Sequence, residues 1–458
     1  MNGSSHIRIR KGMDIRLAGA PQPETADVTP SGLITVYPTD FGIKPRLLVK
    51  EGDQVKRGSP LFLNKKNEAM KFRSPAGGTV KSIVVGERRV IERIVVETAK
   101  NESVETFPKY AAEQVLSLAH DQILGILLDT GLLALVRQRP FLKMADPAAK
   151  PKSIFVNAMN TAPFQANANV AIKGYETAFQ AGLNALTRLT TGKVFLCLDG
   201  KAEGLSPALT AAQHVSIHYF DGPHPSGNTS VHIHYLDPVK PHEIVWTVKA
   251  ADVAQIGRLL TEGAIPADRI VSLGGPGVKE NARKHYRVRV GESLQALLDG
   301  RLESGEQRVI LGDVLGGCAI PQDASLHFLD TAITVLPEDR ERHYLGWIMP
   351  GLTVFSQSRT FLSRWLRPKA TWSLGTNTHG SKRTMVLTGL YDQFMPMNIM
   401  VDYLVRAILA HDTDEAVKLG LLEVAPEDVA LCAFVCPSKM DLVDIIRQGL
   451  DDVEKEGI

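Results

Sequence analysis

Residues 49–80, VKEGDQVKRGSPLFLNKKNEAMKFRSPAGGTV, constrain the fold of this 458-residue chain more than any other stretch. Turn signals recur at Glu51-Gly52-Asp53, Arg57-Gly58-Ser59 and Pro75-Ala76-Gly77-Gly78. They stand too close together to leave room for a helix, and glycine and aspartate take the backbone conformations that tight turns demand. Between them lie an apolar run, Leu61 to Leu63, and a lysine-rich tip at Lys65 and Lys66. The same texture holds from residue 6 to residue 105. Strands are expected at 33–37, 46–50, 78–85 and 89–97, with turns every 8–12 residues or so, which makes 6–105 an all-β barrel or sandwich.

The stretch resembles a biotinyl/lipoyl-type barrel, and Glu68-Ala69-Met70-Lys71 is the tetrapeptide that carries biotin in carrier domains. A carrier lysine sits at a hairpin tip, near the midpoint between the two flanking glycine turns. Lys71 lies thirteen residues after Gly58 and only seven before Gly78. The tip therefore falls near Lys65 to Glu68, and Lys71 belongs to the returning strand. Side chains alternate along a strand, so this offset moves Lys71 off the tip and changes its face. A solvated strand lysine is the expectation.

Beyond residue 105 the pattern changes. A buried helix or helix pair is expected at 123–136, interrupted at Asp129 and Thr130. Strands at 153–159, 193–199, 214–220 and 243–248 then alternate with helices at 174–189 and 253–262. Such alternation predicts a doubly wound, Rossmann-like α/β sheet over 106–265. Residues 266–326 read as a β-grasp-like unit, with a turn at Gly274-Gly275-Pro276-Gly277 and a helix over 293–302 started by Ser293. The glycine turn lacks the Lys-Ser/Thr of a phosphate loop and is not followed by a helix, so it is read as a β-turn. Residues 327–458 are expected to be mostly helical, notably over 400–410, 413–421 and 440–456.

With 44% hydrophobic and 22% charged residues the composition is that of an ordinary water-soluble chain. No run reaches the ~18–20 apolar residues of a membrane span. The N-terminus has no apolar core of a signal peptide, and Met1 to Ser5 are expected to be disordered. Four cysteines are too few for a disulfide scaffold, which fits a reducing compartment. Charge is uneven. Residues 1–100 hold 18 Lys+Arg against 10 Asp+Glu, and residues 411–458 hold 4 against 12. A basic surface of that kind suits anionic headgroups, an acidic partner or plain solvent. Tyr37 and Phe41 are too few aromatics for a nucleic-acid platform.

The order barrel, Rossmann-like sheet, β-grasp unit, helical C-terminus is uncommon. With KGMDIRLAGAPQ (11–22), KPRLLVKEGDQVKRGSPLF (44–62), RPFLKMADP (139–147) and CAFVCPSK (432–439), it resembles the NqrA family of the bacterial Na+-translocating NADH:quinone reductase (the Nqr complex) over essentially the whole chain. Related architectures are the RnfC protein of the Rnf complex and the flavin-bearing subunit of complex I. The resemblance implies a biotinyl/lipoyl-like barrel over 6–105, a Rossmann-like domain over 106–265, an SLBB-like β-grasp over 266–326 and a helical domain over 327–458.

It also implies a peripheral subunit on the cytoplasmic face of the inner membrane, one of six, docked especially to the membrane protein NqrB. The complex oxidises NADH, reduces ubiquinone and exports Na+. FAD, FMN, riboflavin and iron–sulfur centres are implied for other subunits, with none bound by this chain. The related flavin subunits carry an acidic stretch after the first sheet strand. Here the matching run is Asn157-Ala158-Met159-Asn160-Thr161-Ala162-Pro163, without a carboxylate.

An iron–sulfur cluster needs four thiolates, and only Cys432 and Cys436 stand close in sequence. Cys197 is expected in a core strand, and Cys318 is left undecided. His218, His232 and His234 are read on strand-like segments. His232 and His234 share a strand face there, as surface or structural histidines rather than a metal pair. For quinone, which needs an apolar wall and donors to its carbonyls, the candidates are Arg139, Phe141 and Lys143. Two other readings stay open: a flavin or iron–sulfur electron-transfer subunit of the Rnf or complex I type, and a biotin or lipoate carrier.

Overall fold

The computed structural model describes residues 5–340, 345–346 and 348–457. Three β-structures organise the chain, and the C-terminal helices cover one of them.

The barrel closes from two sheets. One runs Leu33–Val36, Ile91–Thr98, Gly78–Val85, Gln54–Val55, and the other runs Pro45–Leu47, Pro60–Asn64, Asn67–Arg73. Lys65 and Lys66 form the turn between Pro60–Asn64 and Asn67–Arg73, and Lys71 pairs with Leu63 within the ladder. The count from Gly58 and Gly78 therefore holds. Lys71 Nζ lies 2.8 Å from Asp129 Oδ1, on the neighbouring helix His120–Thr130. That lysine is a clasp between two units.

The second unit is a seven-stranded sheet. Its order is Ser5–Arg8, Ser216–Asp221, Lys193–Asp199, Ser153–Asn157, Val245–Lys249, Arg137–Arg139, Lys143–Met144. The first five strands are parallel and the last two antiparallel. Both faces are buried, as a parallel sheet requires. Alternation along Ser153–Asn157 sends Ile154 and Val156 under helices Glu176–Arg188 and Ala250–Glu262. It sends Phe155 to the other face, into a cluster with Phe220, Leu404 and Ile446.

A six-stranded sheet forms the third unit: Cys318–Ile320, Gln307–Leu311, Ala332–Pro337, Asp268–Gly274, Lys284–Arg289, Gln22–Asp27. Helix Leu294–Leu298 packs on it, shorter than the expected 293–302. Helices Val401–Leu409, Thr413–Lys418 and Leu442–Glu456 follow where they were expected. The Asp412 carboxylate accepts the Glu415 amide at 2.9 Å, and Asp441 does the same for Asp444 at 3.2 Å. Each satisfies an orphan amide of a first turn.

Several expectations fail on pairing between distant segments. Residues 5–8 and 22–27 are not barrel strands; they add to the α/β sheet and to the third sheet respectively. Ser5 lies in a strand, and residues 1–4 fall outside the described residues. Residues 332–337, within the part expected to be mostly helical, form a strand parallel to Asp268–Gly274. Between 338 and 400 the described chain is mostly irregular, with short turns at Ser363–Leu366 and Tyr391–Gln393.

Candidate functional site

A cleft lies where barrel, second unit and third unit meet, with an accessible cavity of about 50 Å3. The barrel supplies 35–37, Asp40, Phe41, Phe72 and Arg73. The end of helix His120–Thr130 supplies Thr130 and Gly131, and the third unit adds Val290, Leu326 and Phe328. Phe41 is the hub of its wall, with ring centroids 4.3 Å from Phe72 and 5.1 Å from Phe328. The 3-10 turn Pro38–Phe41 ends at Gly42 with φ +61°, and this reversal holds Phe41 inward.

The polar groups of the cleft are few and fixed. Arg73 is almost fully buried; it donates to Asp129 Oδ2 at 2.6 Å, to Glu105 Oε1 at 2.9 Å and to the Gly58 carbonyl at 2.7 Å. Tyr37 stacks on His327 at 4.3 Å, and its hydroxyl accepts the Ser325 amide at 3.3 Å. His327 Nδ1 sits 2.6 Å from Asp40 Oδ1, while Asp40 Oδ2 accepts the Phe328 amide at 3.0 Å. The carboxylate beside it raises the His327 pKa above the usual imidazole value, against a smaller opposing effect of burial.

A pH dependence follows. The group is raised in the folded state, so its contribution is complete below the ordinary imidazole pKa of about 6.5. It is lost as pH climbs through the raised folded value. The melting temperature of the chain is expected to fall over that window, and the His327→Gln variant is expected to flatten the fall. Melting curves between pH 5.5 and 8.5 check it; parallel curves for the two proteins would contradict the assignment.

The three sequence-chosen residues sit elsewhere, at the far edge of the α/β sheet. Arg139 ends the strand Arg137–Arg139 and is only 2% exposed. Its Nη2 donates to the Glu423 carbonyl at 2.7 Å. Burial pulls its pKa down, and Asp428 pulls it back up. Phe141 packs half-buried against the C-terminal helical cluster, and Lys143 Nζ pairs with Glu454. The hairpin thus brings all three to one junction between sheet edge and C-terminal helices. The cleft residues carried no sequence signal, because they come from segments that only the fold gathers.

At the carboxyl end of the sheet, the run 157–163 is tied by neutral groups. Asn157 Nδ2 donates to the Gly227 carbonyl at 2.9 Å and to Thr229 Oγ1 at 3.0 Å. Thr161 Oγ1 lies 3.1 Å from His224 Nδ1 and accepts the Gly227 amide at 3.0 Å. Burial pulls His224 down to about 4, so it stays neutral there.

The histidine reading needs correction. His232 and His234 lie on a helix, Thr229–Leu236, where neighbours two apart point to different sides. His232 Nε2 donates to the Ser226 carbonyl at 3.0 Å, and burial lowers its pKa to about 3. His234 Nδ1 meets Glu423 Oε2 at 2.7 Å. His218 is held between Ser5 Oγ at 2.6 Å and Ser216 Oγ at 2.8 Å.

Cys197 is fully buried in its strand. Cys432 and Cys436 are buried too, and Tyr391 Oη donates to Cys436 Sγ at 2.9 Å. Burial pushes the Cys197 and Cys432 thiols up, away from the thiolate a metal needs. Among the described residues no group of three or more His, Cys, Asp or Glu is placed to hold a metal ion. At the glycine turn, a Cβ on Gly275 (φ +116°) would lie 2.2 Å from the Val335 carbonyl oxygen. Glycine is needed there for a close backbone crossing, where the Gly275 amide also donates to the Gly19 carbonyl at 2.8 Å.

The motif at 11–22 stitches the units together. The Gly12 amide bonds the Gln393 carbonyl at 2.9 Å, Asp14 Oδ1 accepts the His224 amide at 2.9 Å, and the Ala18 amide bonds the Trp372 carbonyl at 2.9 Å.

Three domain profiles match along the chain. The NqrA N-terminal barrel-sandwich hybrid domain matches residues 7–99, the NqrA second alpha/beta domain 118–265 and the NQRA C-terminal domain 270–320. Among characterised relatives, the chain is similar to the NqrA protein of the Na(+)-translocating NADH-quinone reductase of Yersinia pseudotuberculosis serotype O:1b. The two are 40% identical over 453 residues, covering 98% of this chain and 100% of that one. The same-named proteins of Photorhabdus laumondii and Actinobacillus pleuropneumoniae serotype 3 are 39% and 42% identical, again over 98% of this chain and 100% of each.

Proposed function

Because the chain belongs to the NqrA family of the Na(+)-translocating NADH-quinone reductases, we propose that it serves as a non-redox, peripheral subunit of a sodium-pumping NADH:quinone reductase. The observation that carries this is identity of about 40% with such subunits over their entire length. Among the described residues no helix is long and apolar enough to cross a membrane. On this reading the chain docks chiefly to the membrane protein NqrB, on the cytoplasmic face of the inner membrane. Flavins and iron–sulfur centres sit in other subunits on this reading. The neutral loop 157–163 and the buried thiols support it.

Within that role the chain contributes to quinone binding. A quinone head is flat and apolar, with two carbonyl acceptors. The aromatic cleft offers a wall of Phe41, Phe72 and Phe328, and Arg73 is the cationic donor on its lining. The hairpin of Arg139, Phe141 and Lys143 is the second site on this reading. Its polar groups are engaged like those of the cleft, with Arg139 and Lys143 serving Glu423 and Glu454.

A quinone photoprobe on the assembled complex separates them. Labelling is expected within residues 35–41 or at Phe328. Filling the cleft by Thr130→Trp is expected to raise the apparent KM for quinone about tenfold, a loss of roughly 1.4 kcal/mol. Labelling confined to 139–143 would move the site to the hairpin. Labelling in neither segment would remove this chain from quinone binding. Flavin or iron–sulfur absorption bands in the purified chain would overturn the non-redox role.

A further inference from the structure

Residues 345–391 carry six Lys or Arg and no Asp or Glu. Surfaces in water ordinarily intersperse both signs. Within the same segment, Ile348 and Met349 are each 60% exposed, Trp365 64% and Leu366 67%. Single exposed apolar side chains are ordinary, but a group of them on one segment marks an interaction surface.

The segment is folded, and its exposure is not that of a loose loop. The Leu362 amide donates to the Pro350 carbonyl at 3.0 Å, and Ser363 Oγ donates to the Val354 carbonyl at 2.6 Å. Ser356 Oγ accepts the amides of Thr360 and Phe361 at 3.1 and 3.2 Å. Phe355 pins it from behind, edge-on to Trp372 at 6.2 Å and tilted against Phe434 at 5.9 Å. These bonds fold 348–354 against 360–366, so both apolar pairs belong to one loop. Arg359 lies over the Trp365 ring at 5.9 Å, and Arg364, Arg367 and Lys369 follow along the chain.

We infer that this loop is a lipid anchor: Ile348, Met349, Trp365 and Leu366 enter the headgroup layer of an anionic bilayer while the surrounding arginines and lysines meet its phosphates. Two features favour lipid over a protein partner. An anionic bilayer presents one sign of charge, which matches a segment whose own charges are all cationic, and each cation near such a surface adds to binding. An exposed indole beside aliphatic side chains and basic residues is the composition that settles at a membrane interface. The inference needs neither quinone nor a protein partner, so it stands or falls apart from the functional reading above.

The test is cosedimentation of the purified full-length chain with vesicles. Binding is expected to vesicles rich in phosphatidylglycerol, to weaken as salt rises and to be absent with phosphatidylcholine alone. The double variant Trp365→Ser, Leu366→Ser is expected to bind at least about tenfold more weakly. A second variant, Arg364→Glu with Lys369→Glu, is expected to do the same. All four side chains face solvent, so both variants should melt like the parent. Equal binding by parent and variants would overturn the proposal. So would absence of vesicle binding, and if the variants then failed to copurify with the membrane subunits, the loop would be a protein-docking surface instead.

Discussion

Asp252→Ala is expected to destabilise the joint between the second and third units by about 3–5 kcal/mol. Asp252 stands in the first turn of helix Ala250–Glu262, and Arg269 stands on strand Asp268–Gly274. Their contact is 2.7 Å, with side chains only 4% and 7% exposed. Arg269 also donates to the Phe328 carbonyl at 2.7 Å. Removing the carboxylate leaves a buried guanidinium without its counter-charge, and that desolvated cation is the source of the loss. Replacing both residues by apolar ones, Asp252→Leu with Arg269→Met, removes the stranded charge and is expected to recover much of the stability. Urea titration of the single and double variants checks both statements. Additive losses would show that the two residues do not act as a pair.

Gly257→Ala is expected to cost about 3 kcal/mol or more, although one methyl group is all that it adds. Helices Glu176–Arg188 and Ala250–Glu262 cross with Gly182 and Gly257 in the contact. A Cβ on Gly257 would sit 1.6 Å from the Ala178 carbonyl oxygen and 2.8 Å from the Gly182 nitrogen. Those atoms are backbone, so relief comes only from moving the helices apart, off the sheet they cover. Gly125 is the internal control. It lies exposed in helix His120–Thr130 with nothing near its would-be Cβ. Gly125→Ala is expected to stabilise by up to about 1 kcal/mol, the difference in helix propensity. Equal melting shifts of the same sign for the two variants would refute the packing argument.

Local patterns were legible wherever neighbours in sequence are neighbours in space. The register of Lys71 followed from counting between Gly58 and Gly78, because hairpin pairing and side-chain alternation are short-range rules. The alternation of strands and helices over 153–262 was likewise plain. The segment Thr229–Leu236 misled because Val231 and Ile233 are buried along with Ser230 and His232. When four consecutive residues of a short helix are buried, its apolar pattern no longer distinguishes a period of 3.6 from a period of 2. Residues 332–337 hold a β-branched run, Ile333 to Val335, but the helical expectation for the whole C-terminal part outweighed it. The cleft was illegible for another reason. Tyr37, Phe72, Thr130 and Phe328 share no spacing, and only the docking of three units brings them together.

The two leading strands have a consequence for the order of synthesis. Ser5–Arg8 pairs with Ser216–Asp221, and Gln22–Asp27 pairs with Lys284–Arg289. Ser5 and its partner His218 are 213 residues apart. At a ribosomal rate of about 5–20 residues per second, the first strand waits roughly 10–40 s for its neighbour to emerge. Throughout that interval the leader hangs unpaired while the barrel behind it is already complete. Arg8, Arg10, Lys11 and Arg16 keep this waiting segment strongly cationic, which discourages other strands from adding to it. The head of the chain is thus stitched in only after the barrel and most strands of the α/β sheet have emerged, and it acts as a latch that ties these to the units made later.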